Sequence, residues 1–175
     1  ESMGSYYKGK HTGTLGTMGV FSFNGNKIMT TGGGGMILCD TELGQRAKHL
    51  TTTAKLPHPY EFYHDALGFN YRMPNLNAAL GCAQLEQLER FIEIKRDLAE
   101  CYRQILKETS LKFIAEPPQC RSNYWLNGVI CADRVQRDEL LKVTHEAGIM
   151  ARPAWQLLSR LPMFMDAPKG PLLKI

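Results

Sequence analysis

Hydrophobic and polar residues alternate in short segments at the start of the chain. Residues 19–23 and 36–39 are apolar runs of strand length, and a polar turn and four consecutive glycines separate them. Asp40 or Thr41 follows the second run, and either side-chain oxygen can satisfy free N–H groups at the start of a helix. The pattern therefore predicts two strands and then a helix that runs to about Leu50.

Two segments lack a regular period and are predicted to be loops. Residues 1–18 are rich in Gly, Ser and Thr, and residues 51–74 contain three prolines and five aromatic side chains. A loop as long as the second one, inside a compact chain, is usually functional. Its aromatic residues predict either a segment packed against its own unit or a surface for a partner.

The second half of the chain is predicted to begin with one long helix, either straight or kinked. In residues 75–108 apolar side chains recur at three-to-four spacing, and charged residues fill the other face. Beyond this helix the pattern changes to that of a small α+β unit. Its predicted strands are residues 111–114, 124–131 and 149–151, and its predicted helix is residues 137–147, ended by Gly148.

Composition argues against several classes of protein. With 175 residues, 43% of them hydrophobic, the chain can bury a core, and its net charge of +4 comes from 21 basic and 17 acidic residues. The basic residues form no stripe of the kind that would indicate nucleic-acid binding. No apolar run approaches the ~20 residues that span a bilayer. The first residues show neither the basic segment nor the apolar core of a signal peptide, so we expect a cytoplasmic protein.

The cysteines and histidines predict no metal site. There are five of each, no C-x-x-C pair occurs, and no H-E-x-x-H spacing is present. The odd number of cysteines and their spacing disfavour both a disulfide framework and a zinc site. They favour buried, reduced thiols in a cytosolic protein.

Lys27 is the strongest candidate for chemistry. It ends a polar turn after the first predicted strand, and the glycines that follow permit close backbone approach and positive φ. A lysine amine attacks a carbonyl only when it is neutral, so a specialised site of this kind predicts Schiff-base chemistry. A surface lysine in a flexible turn is the alternative. A nucleotide-binding loop is disfavoured, because its lysine follows the glycines and because the G-x-G-x-x-G spacing is missing.

Several further motifs follow one another around Lys27. They are Gly13-Thr14-Leu15-Gly16, Ser22-Phe23, Thr31-Gly32-x-Gly34-Gly35, and Gly68-Phe69-Asn70-Tyr71-Arg72-Met73-Pro74, which runs into Asn75-Leu76-Asn77-Ala78-Ala79-Leu80-Gly81. In this order they resemble the DegT/DnrJ/EryC1/StrS family of sugar aminotransferases, over residues 1 to about 105. The resemblance implies pyridoxal 5′-phosphate as the cofactor and the α/β fold of the aspartate aminotransferases, fold type I.

The resemblance implies roles for three of these residues. Lys27 matches the lysine that the family joins covalently to pyridoxal phosphate, and Ser22 matches a serine that contacts the cofactor phosphate. Asn70 matches an asparagine that reaches this phosphate from the neighbouring subunit of a homodimer. The loop of residues 51–74 would then build the partner's active site. As alternatives, Ser22 satisfies its own turn, and Asn70 is an ordinary turn residue beside Gly68.

The implied reaction is amino transfer from an amino acid such as glutamate to a nucleotide-linked keto-sugar. Related dehydratases carry histidine in place of Lys27, so the lysine favours transamination. The residues around Lys27 and Pro57 are similar to the branch that makes UDP-4-amino-4,6-dideoxy sugars for bacillosamine- or legionaminic-acid-type pathways. Arg152 and Trp155 are candidate contacts to a phosphate and a ring of the sugar nucleotide. A surface arginine over a packed tryptophan is the alternative.

The resemblance also implies a domain organisation. Residues 1–75 are expected to be a remnant of the cofactor-binding large domain, residues 76–108 a connecting helix, and residues 109–175 an incomplete small α+β domain. Family chains are longer, so the aspartate that pairs with the pyridine nitrogen is expected before Glu1 and a last helix after Ile175. We therefore expect a fragment. A truncated, non-catalytic piece that keeps the dimerisation surface is the alternative to an aminotransferase.

Overall fold

The computed structural model describes residues 1–171, in two compact units, Glu1–Ile130 and Cys131–Ile175. In chain order the elements of the first unit are β1 (Tyr6–Tyr7), β2 (Lys10–His11), β3 (Met18–Ser22), β4 (Gly35–Cys39), α1 (Thr41–Thr51), α2 (Asn75–Leu85), α3 (Leu88–Leu106), β5 (Lys112–Phe113), β6 (Cys120–Arg121) and β7 (Val129–Ile130). The strands form three small antiparallel sheets, with strand orders β2-β1-β6, β3-β4 and β5-β7.

The β3–β4 hairpin frames the segment that carries Lys27, and both of its strands confirm the sequence prediction. Ser22 at the end of β3 lies opposite Gly35 at the start of β4. Alternate β3 side chains face inward, so that Phe21 is buried. Gly19 is required by a close approach, because a Cβ atom there would lie 1.9 Å from the carbonyl oxygen of Gly13.

The hydrophobic core of the first unit joins β3 to α3. Its buried members are Phe21, Phe23, Met29, Leu88 and Ile92. Leu88 and Ile92 are four residues apart on α3, so they face the same side of the helix. The core therefore fixes both ends of the turn that contains Lys27.

The single helix predicted over residues 75–108 is wrong, because the structure divides it into α2 and α3. The main-chain N–H of Gln87 bonds to the carbonyl of Gln84, three residues back instead of four, at 3.1 Å. This tighter turn ends the first helix. The second helix then starts afresh with Leu88 directed at the core.

The predicted loop over residues 1–18 contains the short strands β1 and β2, because β1 pairs both with β2 and with the distant β6. Strands of two residues carry no detectable period. The strand predicted over residues 124–131 is reduced to β7, since Tyr124 has a φ of +44° and cannot continue an extended segment.

The second unit begins with α4 (Arg134–Glu146), which starts three residues before the prediction because Asp133 caps it. A side-chain oxygen of Asp133 accepts a hydrogen bond from the N–H of Gln136 at 2.9 Å. Gly148 follows the helix with a φ of +73°, as predicted, whereas residues 149–151 form no strand. Two 3₁₀ turns come next, Leu158–Arg160 and Pro162–Phe164. The three-part domain organisation expected from the sequence stays a prediction.

Candidate active site

A tight turn places Lys27 just beyond β3. The main-chain N–H of Lys27 donates to the carbonyl of Asn24 at 3.0 Å. Phe23 and Met29, each 3% exposed, anchor the turn in the core on both sides. The polar residues in the middle of the turn are thereby held at the surface, above the hydrophobic core.

Thr31 joins the glycine-rich segment to α2. Its side chain is buried, and its main-chain N–H donates to the carbonyl of Phe23 at 3.1 Å. Its hydroxyl donates to the carbonyl of Gly33, and its own carbonyl accepts from the side-chain amide of Asn77. Gly81 lets α2 approach, because a Cβ atom there would lie 2.8 Å from the methyl group of Thr31. The lysine turn therefore rests on α2 as well as on α3.

The amine of Lys27 lies between a carboxylate and an aromatic ring. Its Nζ atom is 2.7 Å from Oε1 of Glu1 and 4.3 Å from the centroid of the Trp125 ring. The Lys27 side chain is only 12% exposed, although that of Glu1 is 55% exposed. The hydrogen bond from Lys27 lowers the pKa of the Glu1 carboxyl below its ordinary value. The low exposure of Lys27 together with these two contacts argues against a surface lysine in a flexible turn.

Ser22 is the last residue of β3 and is exposed. Its Oγ atom accepts a 3.4 Å hydrogen bond from the N–H of Asn24. Within residues 1–171 its hydroxyl donates to no acceptor, so the proton is available for a ligand. Ser22 can therefore stabilise its own turn with the hydroxyl oxygen and contact a ligand with the hydroxyl proton.

Asn70 lies on a loop that is paired to the C-terminal end of α1. The N–H of Thr53 donates to the carbonyl of Phe69, and the N–H of Tyr71 donates to the carbonyl of Thr51, both at 2.9 Å. Asn70 itself is exposed, and its side chain bonds to none of the residues that the structure describes. The loop thus fixes the main chain of Asn70 and leaves its amide free.

The same loop is braced by polar contacts and a close approach. A carboxylate oxygen of Asp65 lies 2.6 Å from Nε2 of His49, and Nδ1 of His64 lies 2.7 Å from the carbonyl of Thr53. Position 68 has no room for a side chain, because a Cβ atom on Gly68 would lie 2.3 Å from the carbonyl carbon of Thr53. With this support the loop exposes a set of aromatic side chains: Tyr60, Phe62, Tyr63, Phe69 and Tyr71.

The structure brings Lys27 and Ser22 together on one hairpin but places Asn70 on the separate loop of the same unit. Arg152 and Trp155 belong to the second unit. Both are exposed: a guanidinium nitrogen of Arg152 lies 3.8 Å from the sulfur of Met150, and Trp155 is 77% exposed. The tryptophan is therefore not packed within its own unit.

Sequence reasoning missed the two side chains that surround the Lys27 amine. Glu1 precedes the lysine by 26 residues, and Trp125 lies near the other end of the first unit. Neither residue belongs to a motif or a periodic segment that would connect it with the turn. The rarity of tryptophan, which occurs twice in the chain, is the one signal that singles out Trp125.

The structure holds little sign of other chemistry. Within residues 1–171, no group of three or more His, Cys, Asp or Glu side chains is arranged to bind a metal ion. Nor does that part of the chain contain a helix long and apolar enough to cross a bilayer. The five cysteines are free thiols, but the expectation that they are buried is wrong, because Cys82 and Cys101 are exposed and the others are partly exposed.

The chain is similar to known aminotransferases in sequence. It is 37% identical over 169 residues to EpsN of Bacillus subtilis (strain 168), whose name marks it provisionally as a pyridoxal phosphate-dependent aminotransferase. It is 36% identical over 167 residues to the GDP-perosamine synthase of Escherichia coli O157:H7. Both alignments cover 95% of this chain but only 43% and 45% of the relatives, so the chain spans less than half of their length.

The fold is similar to that of the aminotransferase TlmJ from Streptoalloteichus hindustanus, with a TM-score of 0.86 and 30% sequence identity, over 91% of this chain and 44% of that one. Fold and site together define part of a fold type I, pyridoxal phosphate-dependent transferase. Residues 1–173 match the DegT/DnrJ/EryC1/StrS aminotransferase family, and the chain belongs to it. The family resemblance of the motifs around Lys27 is confirmed.

The residues present fit pyridoxal phosphate, the cofactor of this family. Lys27 offers a primary amine that is held in place and 12% exposed, and a primary amine is the group that can join covalently to an aldehyde carbon. Ser22 offers a hydroxyl proton, and Asn70 offers a free amide; both groups suit phosphate oxygens.

Proposed function

We propose that the complete gene product containing this chain is an aminotransferase that moves an amino group from glutamate to a nucleotide-linked 4-keto-6-deoxy sugar. The observation that carries this proposal is the position of Lys27, whose amine is held between the Glu1 carboxylate and the Trp125 ring. A fixed amine meets a carbonyl carbon in few orientations, which favours reaction once the ammonium has released its proton. The family supports the amino transfer, and the names of the relatives support a sugar as acceptor.

Lys27 has two tasks in this proposal. Its amine would hold the cofactor by its aldehyde carbon and, when free, would move a proton at the reacting substrate carbon. Pyridoxal phosphate, when bound, supplies the electron sink for this chemistry. The hydrogen bond from Lys27 lowers the pKa of the Glu1 carboxyl, so this carboxylate is the acceptor for the lysine ammonium when Lys27 is free of the cofactor.

Ser22 and Asn70 are assigned to the cofactor phosphate. The Ser22 hydroxyl donates from the same hairpin that carries Lys27, and the Asn70 amide donates from the neighbouring subunit of a homodimer. The exposed aromatic side chains around Asn70 support this arrangement, since an apolar surface of this kind is typical of a protein interface. Each active site is then shared by two subunits.

Arg152 and Trp155 are assigned to the sugar nucleotide. The Arg152 guanidinium makes no ion pair among the described residues, so it can meet phosphate oxygens with two parallel hydrogen bonds. The exposed indole of Trp155 can cover a flat ring of the substrate. Both contacts concern binding, so they affect KM more than the proton transfers at Lys27.

We propose a UDP-linked sugar as the acceptor and surface polysaccharide or nonulosonic acid biosynthesis, of the bacillosamine or legionaminic acid type, as the pathway. The motifs around Lys27 and Pro57 support this choice. Two of the relatives are GDP-perosamine synthases, so GDP-linked sugars are the second group to test. Synthesis from such charged, soluble precursors fits a cytoplasmic protein.

The experiment that tests the proposal uses the complete gene product with pyridoxal phosphate and L-glutamate. UDP- and GDP-linked 4-keto-6-deoxyhexoses are offered in parallel, and mass spectrometry detects the amino sugar nucleotide. We expect conversion of a UDP-linked sugar by the wild-type protein and none by Lys27→Ala. Conversion of the GDP-linked sugar alone would show that the proposed UDP-linked acceptor is wrong and that the acceptor carries GDP. Failure with both nucleotides would contradict the proposal.

A second candidate is a non-catalytic protein that keeps the dimerisation surface. The observation in its favour is the exposed aromatic loop, which needs a partner whether or not the site reacts. Under this reading the complete gene product forms dimers but gives no amino sugar and no covalent adduct on Lys27. Turnover by the wild-type protein would exclude it.

A further inference from the structure

Trp125 makes two separate contacts with the lysine turn, although it lies 99 residues after Asn26. Its indole N–H donates a 2.7 Å hydrogen bond to the main-chain carbonyl of Asn26, and its ring face lies 4.3 Å from Nζ of Lys27. We propose that Trp125 is a positioning residue for Lys27, which holds the amine in the orientation for binding the cofactor and for moving a proton. The inference rests on the proposed function and adds a residue to it.

The two contacts of Trp125 act on different parts of the turn. The ring face attracts an ammonium group but offers no strong acceptor, so it leaves the hydrogen bonds of the amine to Glu1. The bond from the indole to Asn26 joins two groups that do not titrate. When Lys27 loses its proton, its attraction to Glu1 and to the ring weakens, but the bond to Asn26 stays. Trp125 can therefore keep the turn in place through both states of the amine.

Asn123 fixes Trp125 and Glu1 together. Its side chain is 5% exposed, and its carbonyl oxygen accepts from the main-chain N–H of Trp125 at 3.0 Å. Its amide nitrogen donates to the carbonyls of Glu1 and Met3, both at 2.9 Å. One buried amide thus holds the main chains of both residues that contact the Lys27 amine, and a buried polar group with this many partners is well determined.

A second cluster braces the segment from the other side. The Glu116 carboxylate accepts from Arg96 of α3 and, at 2.6 Å, from the N–H of Ser122. The Tyr124 hydroxyl accepts from the N–H of Glu116 at 2.9 Å. Tyr124 has a φ of +44°, an unfavourable value for a bulky residue that persists only where its surroundings impose it. This bend lies immediately before Trp125 and is held by the cluster.

Packing alone does not account for Trp125. The residue is only partly buried, and it is not a member of the core formed by Phe21, Phe23, Met29, Leu88 and Ile92. A tryptophan that merely filled space would not need its N–H aimed at the turn. The combination of the indole bond and the ring contact is what a positioning role requires.

The test compares variants of the complete gene product. Trp125→Phe keeps a ring face but removes the N–H donor, and Trp125→Leu removes both. Leu126→Ala is the matched control, because Leu126 is the exposed neighbour of Trp125. Circular dichroism and urea unfolding first show which variants fold.

The first readout needs no activity. The cofactor-free protein is methylated at its lysines with ¹³C-formaldehyde and a mild reductant, and the Lys27 methyl resonance is identified by its loss in Lys27→Arg. A methyl group over an indole face experiences the ring current. We expect the Lys27 resonance upfield of those of exposed lysines in the wild-type protein and in Leu126→Ala. We expect a smaller displacement in Trp125→Phe and none in Trp125→Leu.

The second readout is the single-turnover reaction of the cofactor-loaded protein with L-glutamate. A misplaced amine slows the reaction without weakening the binding of glutamate, so we expect the maximal rate of Trp125→Leu to fall about 10- to 100-fold. The glutamate concentration at half-maximal rate stays within about threefold, since Trp125 makes no substrate contact in this proposal. Trp125→Phe should lie between wild type and Trp125→Leu.

The outcomes separate the two proposals. A wild-type Lys27 resonance among those of exposed lysines overturns the role of Trp125, whether or not the variants fold. Wild-type maximal rates in both folded Trp125 variants overturn it as well. An upfield Lys27 resonance in a protein that forms no covalent cofactor adduct on Lys27 overturns the proposed function instead, and the positioning role falls with it.

Discussion

The guanidinium of Arg96 donates two hydrogen bonds, at 2.8 and 2.9 Å, to the carboxylate of Glu116. This pair connects α3 to the segment that carries Trp125. Both side chains are largely shielded from solvent. A bidentate pair of this kind is stronger than an ordinary surface ion pair. The pair also orders Ser122, whose N–H donates to the same carboxylate.

We predict that Glu116→Gln loosens this segment, because the amide cannot accept from Arg96 and Ser122 with a full charge. The loss of charge-assisted hydrogen bonds should lower the local opening free energy by about 1–3 kcal/mol. Hydrogen exchange of peptides that cover residues 120–125, measured by mass spectrometry, should rise roughly five- to hundredfold. Glu93→Gln is the control, since Glu93 is exposed and pairs with no residue that the structure describes. Equal exchange in both variants would contradict the bracing role of Glu116.

The same pair predicts a dependence on pH. The hydrogen bond from Arg96 lowers the pKa of Glu116 below its ordinary value of 4.5, and the carboxylate raises the pKa of Arg96. A carboxyl group with a lowered pKa in the folded state adds stability at pH values above its ordinary pKa. This stability is lost as the pH falls through the folded-state pKa. The ratio of exchange rates between Glu116→Gln and wild type should therefore be constant near neutral pH and approach one in acid. A ratio that grows on acidification would contradict the assignment.

The loop that presents Asn70 depends on Gly68. A Cβ atom at this position would lie 2.3 Å from the carbonyl carbon of Thr53 and 2.5 Å from the main-chain nitrogen of Ala54. Main-chain atoms cannot move aside cheaply, so Gly68→Ala should destabilise the loop by about 1–3 kcal/mol. Limited proteolysis within residues 51–71 should speed up accordingly. Gly33→Ala, where no atom lies within 4 Å of the added carbon, should match wild type.

The shared active site predicts complementation between two inactive variants. In a heterodimer of Lys27→Ala and Asn70→Ala, one site combines the intact Lys27 of one subunit with the intact Asn70 of the other. After unfolding and refolding of an equal mixture, half of the dimers are mixed and each has one intact site. We therefore expect about a quarter of wild-type activity. If Asn70 served its own subunit, the mixture would stay as inactive as its components.

Elements with a strong local signal were predictable. β3 and β4 are apolar runs beside turn residues, Asp40 caps the start of α1, and Gly148 follows the end of α4. These features depend on neighbouring residues alone, so a single sequence contains the information. The boundary between α2 and α3 was missed because the apolar spacing continues through it, and only the tight turn at Gln87 reveals the break.

The residues of the candidate site that lie close together in the sequence were predictable. Those that come from distant segments of the chain were not. Lys27 and Ser22 share one hairpin, so motif order sufficed to select them. Glu1 and Trp125 contact the lysine amine directly, and the buried amide of Asn123 holds their main chains together across segments 120 and more residues apart. No periodicity or spacing records such a contact. Direct neighbours of a reactive group therefore have to be taken from the structure.

We propose above all that Lys27 is the lysine that holds the cofactor. The most direct test incubates the complete gene product with pyridoxal phosphate, reduces it with borohydride and maps the modified peptide by mass spectrometry. We expect a single pyridoxyl adduct on Lys27, absent from Lys27→Arg. An adduct on another lysine, or none at all in the complete protein, would contradict it.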